Sequence, residues 1–133
     1  MKINQDTPFT ANTFSGSNST LYALADKTTS TNEDGNVSYN AEAIQIENVN
    51  DADEAIKNYK IATIKVTVES GKEFYADPQS RGDIADAITL MTANSMTFYK
   101  WKTTTGIEEV SLEELKEALQ RGLEAKGRIV GID

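Results

Sequence analysis

Apolar and polar residues alternate without a break from Ile64 to Glu69, with Ile64, Val66 and Val68 set against Lys65, Thr67 and Glu69. A period of two places every second side chain on one face, so this segment reads as a strand with one wet side and one side that needs a cover. Ser70-Gly71 supplies a tight two-residue turn, and residues 72–76 return as the partner strand with Phe74 and Ala76 on one side. The period then changes. Asp77-Pro78 begins a helix: Asp accepts from the first free backbone N–H groups, and Pro gives up a donor that would be orphaned anyway. Ser80 and Asp83 offer an overlapping cap. Ile84, Ala87, Ile88 and Met91 fall at i, i+3, i+4 and i+7 and form the apolar stripe, with Arg81, Asp83 and Asp86 toward water and the end near Asn94.

A second hairpin and helix follow. In residues 97–103, Tyr99 and Trp101 share one face and Phe98, Lys100 and Lys102 the other. The aromatic pair is read as packing on the helices; a sugar-stacking platform is the functional alternative. Residues 103–106 turn the chain into a short return strand over 107–110. Ser111 and Glu114 form a capping box, the Ser side chain bonding forward to a backbone N–H while the Glu side chain reaches back. Leu112, Leu115, Leu119 and Leu123 line one helix face, Glu117 precedes Arg121 by four residues, and Gly127 is the expected stop. Two heptads are too short for a coiled coil on their own, so the leucine row reads as core or as a subunit contact. The fold class expected is α+β: a mostly antiparallel sheet of hairpins with two main helices packed on one face.

The first 35 residues are rich in Ser, Thr and Asn, with single hydrophobes at Ile3, Phe9, Phe14, Leu21, Tyr22 and Leu24. They read as a polar, partly mobile arm, or as an edge strand over 21–25 whose partner follows the Asp34-Gly35 turn. The domain expectation is an arm over 1–35 and a single α+β domain over 36–133. Val37, Tyr39, Ile44 and Ile46 suggest one or two strands with a break near Ala41. Asn50, Asp51, Asp53 and Glu54 open a short helix, the acids lying at the positive end of its dipole. A calcium loop starting at Asp51 fails on spacing, because Ile56 and Ala62 stand where Gly and Glu are required. Gly71-Lys72 lacks the upstream glycine of a phosphate loop.

The chain has no Cys and no His, which removes thiolate nucleophiles, zinc–thiolate sites, Ser–His and Cys–His pairs and the HExxH metal motif. Only carboxylate, Tyr, Lys, Ser and Arg chemistry remains. A glycan hydrolase would need two carboxylates about 5–10 Å apart in a cleft, and no pair stands out from the solvated acids. No catalytic, cofactor or metal residues are therefore assigned, and no enzyme is expected. The formal charge of −8 disfavours nucleic acid and anionic membranes. That charge is uneven: residues 1–59 hold three Lys and nine acids, net −6, and residues 60–133 hold ten basic and twelve acidic side chains, net −2. No signal-like h-region and no run of about 18 apolar residues is found, so a soluble, intracellularly made protein is expected.

Gly71, Lys72, Phe74, Ala76, Asp77, Ser80, Arg81, Ile84, Ala87 and Ile88, followed by Trp101-Lys102 and then Ser111, Leu112, Glu114 and Leu115, occur in an order that resembles an uncharacterised domain family of bacteriophage and prophage tail-region proteins. The resemblance covers residues 64–126. It implies a phage- or prophage-derived structural or interaction protein without catalytic activity, a tail-associated virion component or tail-assembly accessory protein. Its partners would be other tail proteins or further copies of itself. It would be made in the host cytoplasm and carried in the virion tail. The matched residues Asp77, Ser80, Ile84, Ile88, Trp101, Ser111 and Glu114 read as structural: caps, core and cover. The alternative is a small acidic phage-encoded inhibitor whose Asp51, Asp53 and Glu54 imitate nucleic acid charge for a host protein.

Overall fold

The computed structural model describes residues 1–16 and 20–131, and the chain divides into two compact units, Met1–Lys60 and Ile61–Asp133. The α+β class is what the structure has, with every strand pairing antiparallel, but the strands are shared among three sheets.

In the first unit β1 (Lys2–Gln5), β2 (Thr13–Ser15), β3 (Leu21–Thr31) and β4 (Val37–Ile46) form one sheet in the order β1-β4-β3-β2. The expected arm over 1–35 thus supplies three of the four strands, and the division lies at residue 60 instead of 35; Ser17, Asn18 and Ser19 of that arm lie outside the described residues. Asp34-Gly35 does turn the chain, but β3 is an inner strand, and β4 runs through Ala41 without a break. In the turn, Asn32 Oδ1 accepts from the N–H groups of Asp34 and Asn36, both at 3.0 Å, and Gly35 takes a φ of +82°. Leu24, Ala41 and Ala43 are buried on one face with Ile3, Phe9, Phe14 and Tyr22 against them. A single 3-10 turn over Val49–Asp51, capped by Asn48, leads into α1 (Ala52–Ala62).

In the second unit β5 (Lys65–Thr67) pairs with β6 (Glu73–Tyr75), in the register Val66 opposite Phe74. Ile64, Val66, Val68, Phe74 and Ala76 are all buried, as the alternation requires. The connection is one residue longer than a two-residue turn. Gly71 N–H bonds Val68 O, Val68 N–H bonds Lys72 O, and Gly71 adopts φ +96°, so Glu69, Ser70 and Gly71 make a three-residue loop. Helix α2 (Pro78–Ala93) is capped by Asp77, has Pro at its start, and ends at Asn94. Ile84, Ala87 and Met91 are buried and Ile88 packs on their cluster. Arg81, expected toward water, is only 7% exposed.

β7 (Phe98–Thr103) and β8 (Gly106–Ser111) form the second hairpin, tied to β6 by Thr104 N–H to Glu73 O at 3.1 Å. Helix α3 (Leu112–Val130) begins with the capping box and continues through Gly127 to a left-handed Gly131 at φ +78°. One glycine without a proline behind it does not stop a helix whose buried face is continuous. That face is Leu115, Ala118 and Gly122, while Leu123 is 54% exposed. Of the leucine row, Leu115 is fully buried and Leu112 and Leu119 pack on the same core, as the core reading requires; only Leu123 points away, and Ala118 and Gly122 complete the buried face.

Gly122 has a steric reason to be glycine. A Cβ there would lie 2.9 Å from Ala76 Cβ and 3.2 Å from Arg81 Cδ. Gly82, in the interior of α2, has nothing within 4 Å of the same position. The two glycines should respond oppositely in urea denaturation: Gly82→Ala gains about 0.5–1 kcal/mol from helix propensity, whereas Gly122→Ala loses about 1–3 kcal/mol from overpacking. Equal and positive shifts would mean that α3 moves freely against α2.

Candidate functional site

The densest set of polar contacts in the second unit converges on Glu114. Ser111 Oγ accepts the N–H of Glu114 at 3.0 Å, and Glu114 Oε1 accepts the N–H of Ser111 at 2.8 Å, the two halves of the box. The same carboxylate accepts from Ser70 Oγ and from Lys72 Nζ, the latter at 2.9 and 3.0 Å. One turn further along α3, Glu117 accepts the N–H of Glu69 at 2.8 Å and pairs with Arg121, whose Nη1 donates to Thr67 O at 3.0 Å. Glu114, Glu117 and Arg121 therefore form one stripe of α3 that grips β5 and its turn. On the facing hairpin, Glu108 accepts from the hydroxyls of Thr103 and Thr105.

Electrostatics follow from these donors. Burial opposes ionisation of Glu114, but the Ser70 hydroxyl, the Lys72 ammonium and the Ser111 N–H outweigh it and bring the carboxyl down to about 2. The Thr103 and Thr105 hydroxyls likewise hold Glu108 below the ordinary carboxylate range. At neutral pH both are ionised acceptors with their donors in place, which suits holding chain together and does not suit a general acid.

The sequence-predicted residues divide by role. Asp77 accepts from Ser80 N–H at 3.4 Å and from Ser80 Oγ at 2.6 Å, so both act at the start of α2; the Ser80 hydroxyl is the main reason the Asp77 carboxyl titrates low. Ile84 is fully buried, and Ile88 and Trp101 cover the same core. Tyr99 and Trp101 lie 6.4 Å apart with their rings tilted by 55°, packed inward, which is not a flat stacking surface. Ser111 and Glu114 meet as expected; Ser70 and Lys72, which complete the cluster, carry no sequence signal because their partners lie more than 40 residues away.

The outer face of the β7–β8 ribbon is different. Register places Lys100 opposite Glu109 and Lys102 opposite Ile107. On this face Phe98 is 56% and Ile107 76% exposed, with Lys100, Lys102 and Glu109 also exposed. In the first unit, a concavity of about 550 Å³ is bordered by Asp26, Thr28, Asn40, Glu42 and Tyr59. Tyr59 OH donates to Asp26 Oδ2 at 3.0 Å, and burial together with this bond raises the phenol, which keeps it protonated. Asp51, Asp53 and Glu54 are exposed along the start of α1, Glu54 pairing with Lys57 at 3.0 Å. Among the described residues no group of three or more carboxylates is placed to hold a metal ion, and no helix is long and apolar enough to cross a membrane.

In comparisons with known proteins, the chain matches no family model, no curated protein and no solved structure.

The Glu114 cluster makes a pH prediction. Because the folded carboxyl titrates at about 2 against an ordinary 4.5, its stabilisation is complete above pH 4.5 and is lost as pH falls toward 2. The difference corresponds to about 3 kcal/mol at most. Glu114→Gln should lower stability at pH 7 by about 1–3 kcal/mol and flatten the loss below pH 4.5. Denaturant midpoints of both proteins from pH 7 to pH 2.5 measure this, and parallel curves would assign the acid sensitivity elsewhere.

Proposed function

We propose that this chain is a structural and interaction protein of a phage or prophage tail, a virion component or an assembly accessory, with no catalytic activity. The observation that carries the proposal is the outer face of the β7–β8 ribbon, where Phe98 and Ile107 stand in water beside Lys100 and Lys102. Large apolar side chains at both ends of one exposed face, with the Lys100–Glu109 pair between them, fit a contact with another protein. The mixed Lys and Glu pattern of the same face gives that contact an orientation. Use of the best-organised carboxylates, Glu114 and Glu117, in fastening the unit supports a structural role over a chemical one. The resemblance carried by residues 64–126 supplies the tail context, and its matched residues act as caps and core.

Mass spectrometry of density-purified particles from an induced host tests this reading. The expected result is this chain at a fixed copy number relative to the tail tube, or, for an accessory, reproducible capture with tail proteins from the lysate. Phe98→Ser with Ile107→Ser should leave stability within about 0.5 kcal/mol, as surface changes do, and remove that incorporation or capture. Abundance in the lysate with neither particle association nor tail partners would overturn the proposal.

A further inference from the structure

Arg81 combines features that a purely structural residue does not need. Its side chain is more than nine-tenths buried, and a guanidinium stays charged at any physiological pH. Among the described residues it nevertheless has no carboxylate within ion-pairing distance, and its partners there are the backbone oxygens of Ala76 at 3.3 Å and Gly122 at 3.5 Å, both served by Nη1. Asp77, at the same end of α2, turns its carboxylate to Ser80. Nε and Nη2 have no acceptor among the described residues. Among the described residues no side-chain nitrogen or oxygen is sealed from solvent without a hydrogen bond, so water reaches this edge of the guanidinium.

The surroundings are adapted to hold the residue this way. Gly122 makes room for the Arg81 stem, which a Cβ would approach to 3.2 Å. A glycine inside a helix is unfavourable by about 0.5–1 kcal/mol relative to alanine, and a largely buried cation without a counter-charge is unfavourable as well. Two locally unfavourable choices meet at one contact, where Nη1 alone ties the end of β6 to α3 and the other edge of the guanidinium is left without a counter-charge.

We propose that the Nε–Nη2 edge of Arg81 is a receptor for a single small oxyanion, a carboxylate or a phosphate, accepted through two parallel N–H donors. The fork geometry of guanidinium matches both groups. The chain's net charge of −8 favours one isolated anionic group over a polyanion such as nucleic acid. A stem fixed between Ala76 and Gly122 leaves little side-chain freedom to lose on binding.

The test uses the three arginines of the full chain, Arg81, Arg121 and Arg128, as probe and internal controls. Their Nε–Hε resonances are followed by NMR while sodium acetate, or inorganic phosphate, replaces sodium chloride at constant ionic strength. The expected result is a saturable shift at Arg81 with a half-point at least about tenfold lower than any change at Arg121 or Arg128. Saturation by acetate identifies a carboxylate-bearing source, and saturation by phosphate alone a phosphate. Arg81→Lys keeps the charge and loses the fork, and should lose the rise in melting temperature that the saturating anion gives the native chain. No saturation with either anion, or equal behaviour at all three arginines, overturns the proposal whether or not the variant folds.

Discussion

One carboxylate holds together pieces of the second unit that the chain itself keeps far apart. Glu114 closes the start of α3 by reaching back to Ser111, and simultaneously receives Ser70 and Lys72 from the turn after β5. An exposed ion pair alone contributes little, because two long side chains must be ordered in water. Here the Glu side chain is already fixed by the helix cap, so the donors from the turn meet an acceptor whose freedom has been removed. Glu117 and Arg121 continue the same contact along α3, taking the Glu69 N–H and the Thr67 carbonyl. The hairpin is thereby aligned with the helix axis, and Val66, Val68 and Phe74 are presented to Leu115 and Ala118 within one core.

That core is closed by small residues at the seam between the two longest helices. Ala118 and Gly122 continue the buried stripe of α3 from Leu115, and the side chains opposite Gly122 are Ala76 and the Arg81 stem. Long charged side chains often cover apolar surface with their stems while the head group stays wet. Arg81 follows that pattern in an extreme form, with its head held between a hairpin end and a helix carbonyl.

Legibility in the sequence tracked how local the determining physics is. The 64–76 hairpin, the Asp77 cap, the α2 stripe and the Ser111–Glu114 box all rest on neighbours within a few residues, and each was readable. In the first 60 residues the Asp34-Gly35 turn, the strand after it and the acidic start of α1 were readable, but the four-stranded sheet was not, because apart from Leu24 the buried positions of its strands are held by Ala23, Ala25, Ala41 and Ala43. Alanine gives a hydrophobic alternation almost no amplitude, and the Ser- and Thr-rich run at 28–31, which composition likens to a loop, suits a strand through the β-branching of threonine. Gly127 misled for a related reason: its backbone freedom permits a stop, but the tertiary packing of α3 decides. The partners of Glu114, the burial of Arg81 and the exposure of Phe98 and Ile107 depend on where distant segments meet, and no periodicity encodes that.

The long β3–β4 hairpin carries a consequence of its own. β3 continues well past the three-residue β2, so Thr28, Thr29, Ser30 and Thr31 run along a sheet edge with no strand beyond them among the described residues. Just before them the pairing register slips between Ala25 and Thr28, and Asp26 takes a left-handed φ of +49°. A bulge twists a strand away from the flat geometry that a docking strand requires, and the charged Lys27 beside it discourages an incoming backbone. Molecules of this chain crowded together at high local concentration would therefore meet along this rim without zipping into continuous sheet.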